Sequence, residues 1–178
     1  ISCDEVDETI AKIEEYIFLA SSLKISYLRL FATGDSADSD KNVRAVIENV
    51  LPVAAKKGIT LLVETSGMYS DTEKLLALLM EYADDCLAAL WDVCSPYYLK
   101  NEDAEQTVKN LGAYIKHVHM KDSVLQNGER RFCLIGEGDL PIGDIMNALS
   151  CINYDGYISL DWNPKWMLEM TDMEVVFA

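Results

Sequence analysis

The stretch "ITLLVETSGMYSDTEKLLALLMEYADDCLAALWDVCS", residues 59–95, contains two short apolar runs separated by a segment with helical spacing. The runs "ITLLVE" and "LAALWD" are almost continuously apolar, which is typical of strands that are buried on both faces. The segment between them repeats leucine at helical spacing, and Asp71 is a suitable N-cap for this helix. This order predicts two parallel strands joined by a crossover helix.

The same alternation extends along the rest of the chain. Three further runs predict strands: "ISYLRLFA" from Ile25, "YIKHVHM" from Tyr114 and "YISLDW" from Tyr157. A second helical segment is predicted over residues 40–58, "DKNVRAVIENVLPVAAKKG", with Ser39 or Asp40 as its N-cap and Gly58 as its end. No linker or change in composition interrupts the pattern, so we expect one α/β domain over residues 1–178.

An insertion follows the fourth strand, "SVLQNGERRFCLIGEGDLP". Its Asn127-Gly128 pair predicts a tight hairpin turn, and Gly136 and Gly138 predict a loop. Because the insertion begins where the fourth strand ends, we expect it at the carboxyl end of the sheet.

Composition excludes several classes of protein. The net charge is -15, which disfavours nucleic acid and anionic membrane surfaces as partners. No apolar run reaches the roughly 18 residues that a membrane span needs. The five cysteines form no CxxC pair and lie mostly in apolar runs, so we expect buried thiols in a reducing compartment and a cytoplasmic location.

Four of the five predicted strands end in a side chain that can bind a metal ion: Glu64, Asp92, His119 and Asp161. Parallel strands place their carboxyl ends at one edge of the sheet, where ligands bind, so these side chains should converge. Three carboxylates and one imidazole suit Mn²⁺ or Mg²⁺, and the nitrogen also allows Zn²⁺ or Co²⁺. The alternative is that each acid is a helix cap or an ion-pair partner.

The two histidines of the chain differ in their expected roles, although they share a face by strand periodicity. His119 is nearer the carboxyl end and is the candidate ligand, whereas His117 is predicted to be a hydrogen-bonded core histidine. Lys121 lies just beyond on the same face and is a candidate contact for an anionic or hydroxylated substrate. Arg29 shares a face with Tyr27 and Phe31 and is a candidate counter-charge to the strand-end acids, because an arginine in a buried strand needs an acidic partner; it is also a candidate substrate contact.

The runs "LLVET", "LWDVCS", "KHVHMKD", "IGEGDLPIGDIMNAL" and "YDGYISLDW" resemble the last strands of the xylose isomerase-like TIM barrels. This family includes sugar (phosphate) isomerases and epimerases and also endonuclease IV. The resemblance covers nearly the whole chain and corresponds to roughly strands four to eight. It implies a partial (β/α)8 barrel with the last five β/α units and without the first three strands.

The resemblance also implies a chemistry. Glu64, Asp92, His119 and Asp161 would bind a divalent ion that holds the oxygens of a sugar. Glu64 and Asp161 would transfer the proton between adjacent carbons through an enediolate. The expected function is therefore a metal-dependent isomerase or epimerase of a sugar or sugar phosphate.

This sequence departs from the family pattern at two positions. The family usually ends its last strand in Glu, and Asp161 is one methylene shorter. Ser95 stands three residues after Asp92, where the family has His; it is a candidate hydrogen-bond donor to substrate or a simple turn residue. Arg130 and Arg131 lie in the insertion, and solvated charge is their more ordinary role.

Two other functions stay open. The departures and the missing strands also suit a catalytically inactive or truncated barrel that acts as a binding or structural protein. An endonuclease is disfavoured by the negative charge and by a total of two histidines. An open barrel exposes "ISYLRLFA" as an edge strand, so we expect the chain to form homo-oligomers through this edge.

Overall fold

The computed structural model of this protein describes residues 6–34 and 37–162. Its main sheet has five parallel strands in the order in which they occur in the chain. These strands are β1 (Tyr27–Leu30), β2 (Thr60–Glu64), β3 (Leu87–Asp92), β4 (Ile115–Met120) and β7 (Ile158–Leu160). All five predicted strands are thus confirmed, and the sheet is part of a (β/α)8 barrel.

The helices cover the outer face of this sheet. They are α1 (Val6–Ser22), α2 (Ala37–Lys57), α3 (Thr72–Tyr82), α4 (Cys94–Lys100), α5 (Ala104–Leu111) and α6 (Ile142–Cys151). The carboxylate of Asp71 accepts the Lys74 N–H and caps α3 as predicted. The predicted cap of α2 was wrong: the helix already begins at Ala37, so Ser39 and Asp40 lie inside its first turn, where Asp40 faces the positive end of the helix dipole.

The two faces of the sheet differ in what covers them. Side chains on the outer face, such as Val63, Trp91 and Val118, belong to a large core shared with the helices. Their neighbours on the inner face, Leu62, Ala88 and Leu90, form a separate small cluster. Apolar packing on both faces explains why the strands read as nearly continuous apolar runs.

A hairpin extends from the carboxyl end of β4. Strands β5 (Asp122–Gln126) and β6 (Glu129–Cys133) pair antiparallel around Asn127 and Gly128. Both turn residues have positive φ, 53° and 83°, as a type I′ turn requires, so the predicted hairpin is confirmed. The hairpin thus begins at the edge of the sheet where β4 ends, two residues after Met120.

Two further expectations concern the cysteines and the membrane. Among the described cysteines Cys94 is buried and Cys151 is exposed, so the expectation of buried thiols is only partly met. Cys3 lies outside the described residues. Across the part of the chain that the structure describes, no helix is both long and apolar enough to cross a bilayer.

Candidate active site

The four predicted metal ligands lie at the same edge of the parallel sheet. Glu64 and Asp92 are the last residues of β2 and β3, and Asp92 is in register with His119 of β4. Asp161 directly follows β7, and its N–H donates to the carbonyl of Met120 at 2.8 Å. The parallel arrangement therefore brings together four side chains that are far apart in sequence.

Glu64 is the centre of the first group of contacts. Its side chain is 1% exposed, and its Oε2 accepts hydrogen bonds from Arg29 Nη2 at 2.6 Å and Ser66 Oγ at 2.7 Å. His119 Nδ1 lies 3.1 Å from Oε1. Burial alone would raise the pKa of Glu64, but the hydrogen bonds from His119, Arg29 and Ser66 outweigh it and hold the pKa at about 2.

The contact with Glu64 shows that the Nδ1 atom of His119 carries a proton. An ionised carboxylate can only accept hydrogen bonds, so Nδ1 must donate. In the neutral ring Nε2 then keeps its lone pair and is able to bind a metal ion or accept a proton. A carboxylate that orients a histidine in this way is a common arrangement beside metal ions.

His117 lies beside His119 on β4 and contacts the neighbouring strand β7. The two rings meet edge to face with centroids 5.5 Å apart, and His117 Nε2 is 2.8 Å from Ser159 Oγ on β7. Burial and the charge of His119 lower the pKa of His117. His117 is thus hydrogen-bonded within the sheet interior.

Lys121 is the centre of the second group of contacts. Its side chain is 14% exposed, and its ammonium contacts Asp92 Oδ2 and lies 2.8 Å from Asp161 Oδ2. Burial by itself would lower the pKa of Lys121, but the charges of Asp92 and Asp161 and their hydrogen bonds raise it above the ordinary value. One lysine therefore bridges two of the predicted metal ligands.

Asp92 also caps the helix that follows it. Its Oδ1 accepts the N–H groups of Cys94 and Ser95, both at 2.9 Å, at the start of α4. These contacts use the backbone of Ser95, which is half-buried. The helix cap leaves Oδ2 as the oxygen of Asp92 that faces a cation.

The donor set can be compared with the needs of a divalent ion. Three carboxylates and the imidazole of His119 suit such an ion in chemistry and meet at one edge of the sheet. In the arrangement of residues 6–34 and 37–162, however, no three His, Cys, Asp or Glu side chains are placed to hold a metal ion together. The carboxylates are instead paired with Arg29 and Lys121.

Asp122 is a residue that the sequence did not single out. It is fully buried, and its carboxylate accepts four backbone N–H groups, from Ser123, Gly136, Gly138 and Leu140. It fastens the loop after the hairpin to the end of β4, directly beside Lys121. The spacing of the glycines signals a loop, but nothing local in the sequence indicates which acid the loop surrounds.

The hairpin carries the two arginines noted in the sequence. The guanidinium of Arg130 stacks over the ring of Tyr98 and its Nη1 lies 3.5 Å from Ser123 Oγ. Tyr98 in turn donates its hydroxyl to the carbonyl of Ser123 at 3.1 Å. Arg130 thus packs against α4, and Arg131 is exposed on the same strand.

A parallel sheet covered by helices, with polar side chains gathered at the carboxyl ends of its strands, is the arrangement of an α/β barrel, a fold in which ligands bind at that edge. The chain belongs to the xylose isomerase-like TIM barrel family, whose model matches residues 3–173. The resemblance noted in the sequence is thereby confirmed. No curated protein sequence matches the chain significantly.

Solved structures with the same fold include several enzymes. A xylose isomerase domain protein from Planctomyces limnophilus is 20% identical, with a TM-score of 0.73 over 94% of this chain and 63% of that chain. A D-allulose 3-epimerase from Methylomonas sp., solved in complex with D-allulose, is 19% identical, with a TM-score of 0.74 over 97% and 62%. A 3-keto-D-glucoside 4-epimerase from E. coli is 17% identical, with a TM-score of 0.71 over 85% and 62%. These similarities show the fold, and the chain spans less than two thirds of the length of these three proteins.

Proposed function

We propose that this protein is a divalent-metal-dependent isomerase or epimerase that acts on a sugar or sugar phosphate. One observation carries the proposal: Glu64, Asp92, His119 and Asp161 meet at the carboxyl edge of a xylose isomerase-like sheet. Two of the similar structures are named as sugar epimerases, and one was solved with D-allulose. A ketose or its phosphate is therefore the substrate class to test first.

The same four residues are the proposed ligands of the ion. Asp92 offers Oδ2, and His119 offers Nε2 because its Nδ1 donates to Glu64. A bound Mn²⁺, Mg²⁺, Co²⁺ or Zn²⁺ would supply positive charge to the sugar oxygens on which negative charge develops. Arg29, Lys121 and Ser95 are proposed to contact the substrate hydroxyl or phosphate groups.

Proton transfer is assigned to Glu64 and Asp161. Both must be ionised to accept a proton from carbon, and Glu64 is held ionised by its buried hydrogen bonds. Asp161 is the more accessible of the two, with a side chain that is 18% exposed against 1% for Glu64. We therefore assign the first proton abstraction to Asp161.

The catalytic part of the proposal is tested by proton exchange. The protein is incubated with Mn²⁺ and a panel of ketohexoses and their phosphates in deuterated water, and loss of the α-carbon proton signal is followed by NMR. We expect exchange with the wild type and a loss of at least a hundredfold in Asp161→Asn. Asp155→Asn is a matched control, because Asp155 is exposed before β7. No exchange with any sugar would contradict catalysis.

The metal part is tested separately by calorimetry. The wild type should bind one Mn²⁺, and His119→Ala should bind it at least tenfold more weakly because it lacks the imidazole ligand. Circular dichroism of both proteins shows whether the variant is folded. A folded wild type that binds no divalent ion would refute metal dependence.

A second candidate function is a sugar-binding or structural protein without catalysis. The observation in its favour is that the carboxylates are paired with cations of the protein itself, Glu64 with Arg29 and both Asp92 and Asp161 with Lys121. Such a protein would bind sugars in calorimetry without exchanging their protons, so the two measurements together separate the candidates.

We also propose that the chain self-associates through β1. Among the described residues β1 pairs only with β2, and Tyr27 of β1 and Phe31, which directly follows it, are each about two fifths exposed. Open edge strands of this kind pair with other chains. Light scattering should show oligomers for the wild type and a shift to monomer for Tyr27→Lys but not for Leu99→Lys, an exposed position on α4. A monodisperse wild-type monomer would contradict the proposal.

A further inference from the structure

Lys121 and a divalent ion would need the same oxygen of Asp92. The Oδ1 atom is occupied by two helix N–H groups, from Cys94 and Ser95, which leaves Oδ2 for a cation. The Lys121 ammonium already contacts Oδ2 and is shared with Asp161 Oδ2. Lys121 therefore contacts two of the four proposed ligands, Asp92 and Asp161.

The charges at the sheet edge also oppose binding of an ion while Lys121 stays in place. Glu64, Asp92 and Asp161 bring three negative charges to the sheet edge, and Arg29 and Lys121 bring two positive charges. A divalent ion added beside a stationary Lys121 would place two cations within a few ångströms in a mostly buried site, where charges are poorly screened. The ion is accommodated more easily if the ammonium moves away from at least one carboxylate.

We infer that the Lys121 ammonium and the divalent ion compete for Asp92 and Asp161, so that binding of the ion releases Lys121 from these carboxylates. The inference rests on the proposed function, because it takes the strand-end carboxylates as the metal ligands. The inference adds a positioning role for Lys121, which pairs with Asp92 and Asp161 until the ion binds. Its released ammonium then becomes available to an anionic group of the substrate. Metal affinity in the wild type is thereby weakened.

Calorimetry with MnCl₂ on the wild type and three variants tests the competition. Lys121→Met removes the charge and keeps an unbranched side chain, whereas Lys121→Arg keeps a charge at the same position. We expect Lys121→Met to bind Mn²⁺ at least tenfold more tightly than the wild type, and Lys121→Arg to show no such gain. Lys116→Met is a matched control, since Lys116 lies on β4, the strand that precedes Lys121, and is exposed, and it should bind like the wild type. Equal or weaker binding by folded Lys121→Met would overturn the inference.

A second measurement uses the wild-type protein and does not depend on the folding of a variant. The ¹⁵N resonance of the Lys121 ammonium, assigned from its absence in Lys121→Arg, is followed during titration with diamagnetic Mg²⁺. Competition predicts that its signal shifts or broadens as the ion binds, because its hydrogen bonds to Asp92 and Asp161 are lost. A signal that stays unchanged while Mg²⁺ binds would overturn the inference and leave the proposed function standing. No binding of Mn²⁺ by any of the variants would overturn both.

Discussion

Replacing Asp122 by asparagine should destabilise the fold strongly, although the two side chains have nearly the same shape. The Asp122 carboxylate accepts two N–H groups on each oxygen, with Gly136 and Gly138 bound to Oδ2 at 2.9 and 3.0 Å. The asparagine amide keeps one oxygen and places an NH₂ group where the other was. Two N–H groups of the loop then lose their acceptor and face a donor.

The magnitude follows from the number of hydrogen bonds that are lost. A hydrogen bond to a charged group contributes about 1.5–3 kcal/mol, so losing two should lower the free energy of unfolding by about 3–6 kcal/mol. This is a large part of the roughly 5–15 kcal/mol that stabilises an ordinary domain. Urea denaturation followed by circular dichroism measures the change, and an unchanged m-value would show that the unfolded state is not affected.

Asp139→Asn is a matched control for Asp122→Asn in the same loop. Asp139 is exposed and accepts a single N–H, from Leu125 at 2.8 Å, which the oxygen of asparagine is able to accept instead. We expect this variant to lose less than about 1 kcal/mol. If Asp122→Asn were no less stable than Asp139→Asn, the loop would not depend on the Asp122 carboxylate and the reasoning would be wrong.

Three further predictions concern the same edge of the sheet. Gly138→Ala should lower stability by about 1–3 kcal/mol in urea denaturation, because a Cβ there would overlap the Asp122 carboxylate; an unchanged midpoint would contradict this. Iodoacetamide at pH 8 should modify exposed Cys151 and spare Cys94, because burial and the charge of Asp92 raise the pKa of Cys94 to about 12; peptide mass spectrometry with equal modification of both would refute this. The lowered pKa of Glu64 stabilises the fold above about pH 4.5, and this stabilisation is lost as pH falls towards about 2. In metal-free buffer the free energy of unfolding at pH 7 should therefore be lower for Glu64→Gln than for the wild type, by on the order of 3 kcal/mol, and it should decrease less in acid. If the free energy of unfolding of both proteins fell in parallel with pH, the lowered pKa of Glu64 would be contradicted.

The strands, the hairpin and the edge that gathers the polar side chains could all be predicted from the sequence. Buried parallel strands are recognisable because both faces are apolar, and the Asn127-Gly128 turn is recognisable because both residues tolerate positive φ. These features depend on residues that are close together in the chain. The predicted start of α2 was wrong because several residues in succession are acceptable at a helix N-terminus.

Apart from Arg29, which the sequence already favours as a counter-charge to the strand-end acids and which pairs with Glu64, the partners of these acids could not be predicted from the sequence. Whether Asp92 faces a metal ion, a lysine or a helix N-terminus depends on distances between strands, and the sequence left all three open. In the structure Asp92 is a helix cap through Oδ1 and an ion-pair partner through Oδ2. A strand-end acid can thus take part in structure and in binding at once, because each of its oxygens faces a different neighbour.

The charges at the sheet edge link folding to the proposed activity. The buried carboxylates of Glu64 and Asp92 would oppose folding without partners, because removing an isolated charge from water is strongly unfavourable. Arg29 and Lys121 provide the opposite charge, from the first strand and from the residue after the fourth. A divalent ion must then replace contacts that already stabilise the fold, and not simply fill a prepared site. The same pairs that allow the acids to be buried therefore set how tightly the ion binds, which is why we expect removal of Lys121 to raise metal affinity and to lower the stability of the metal-free protein.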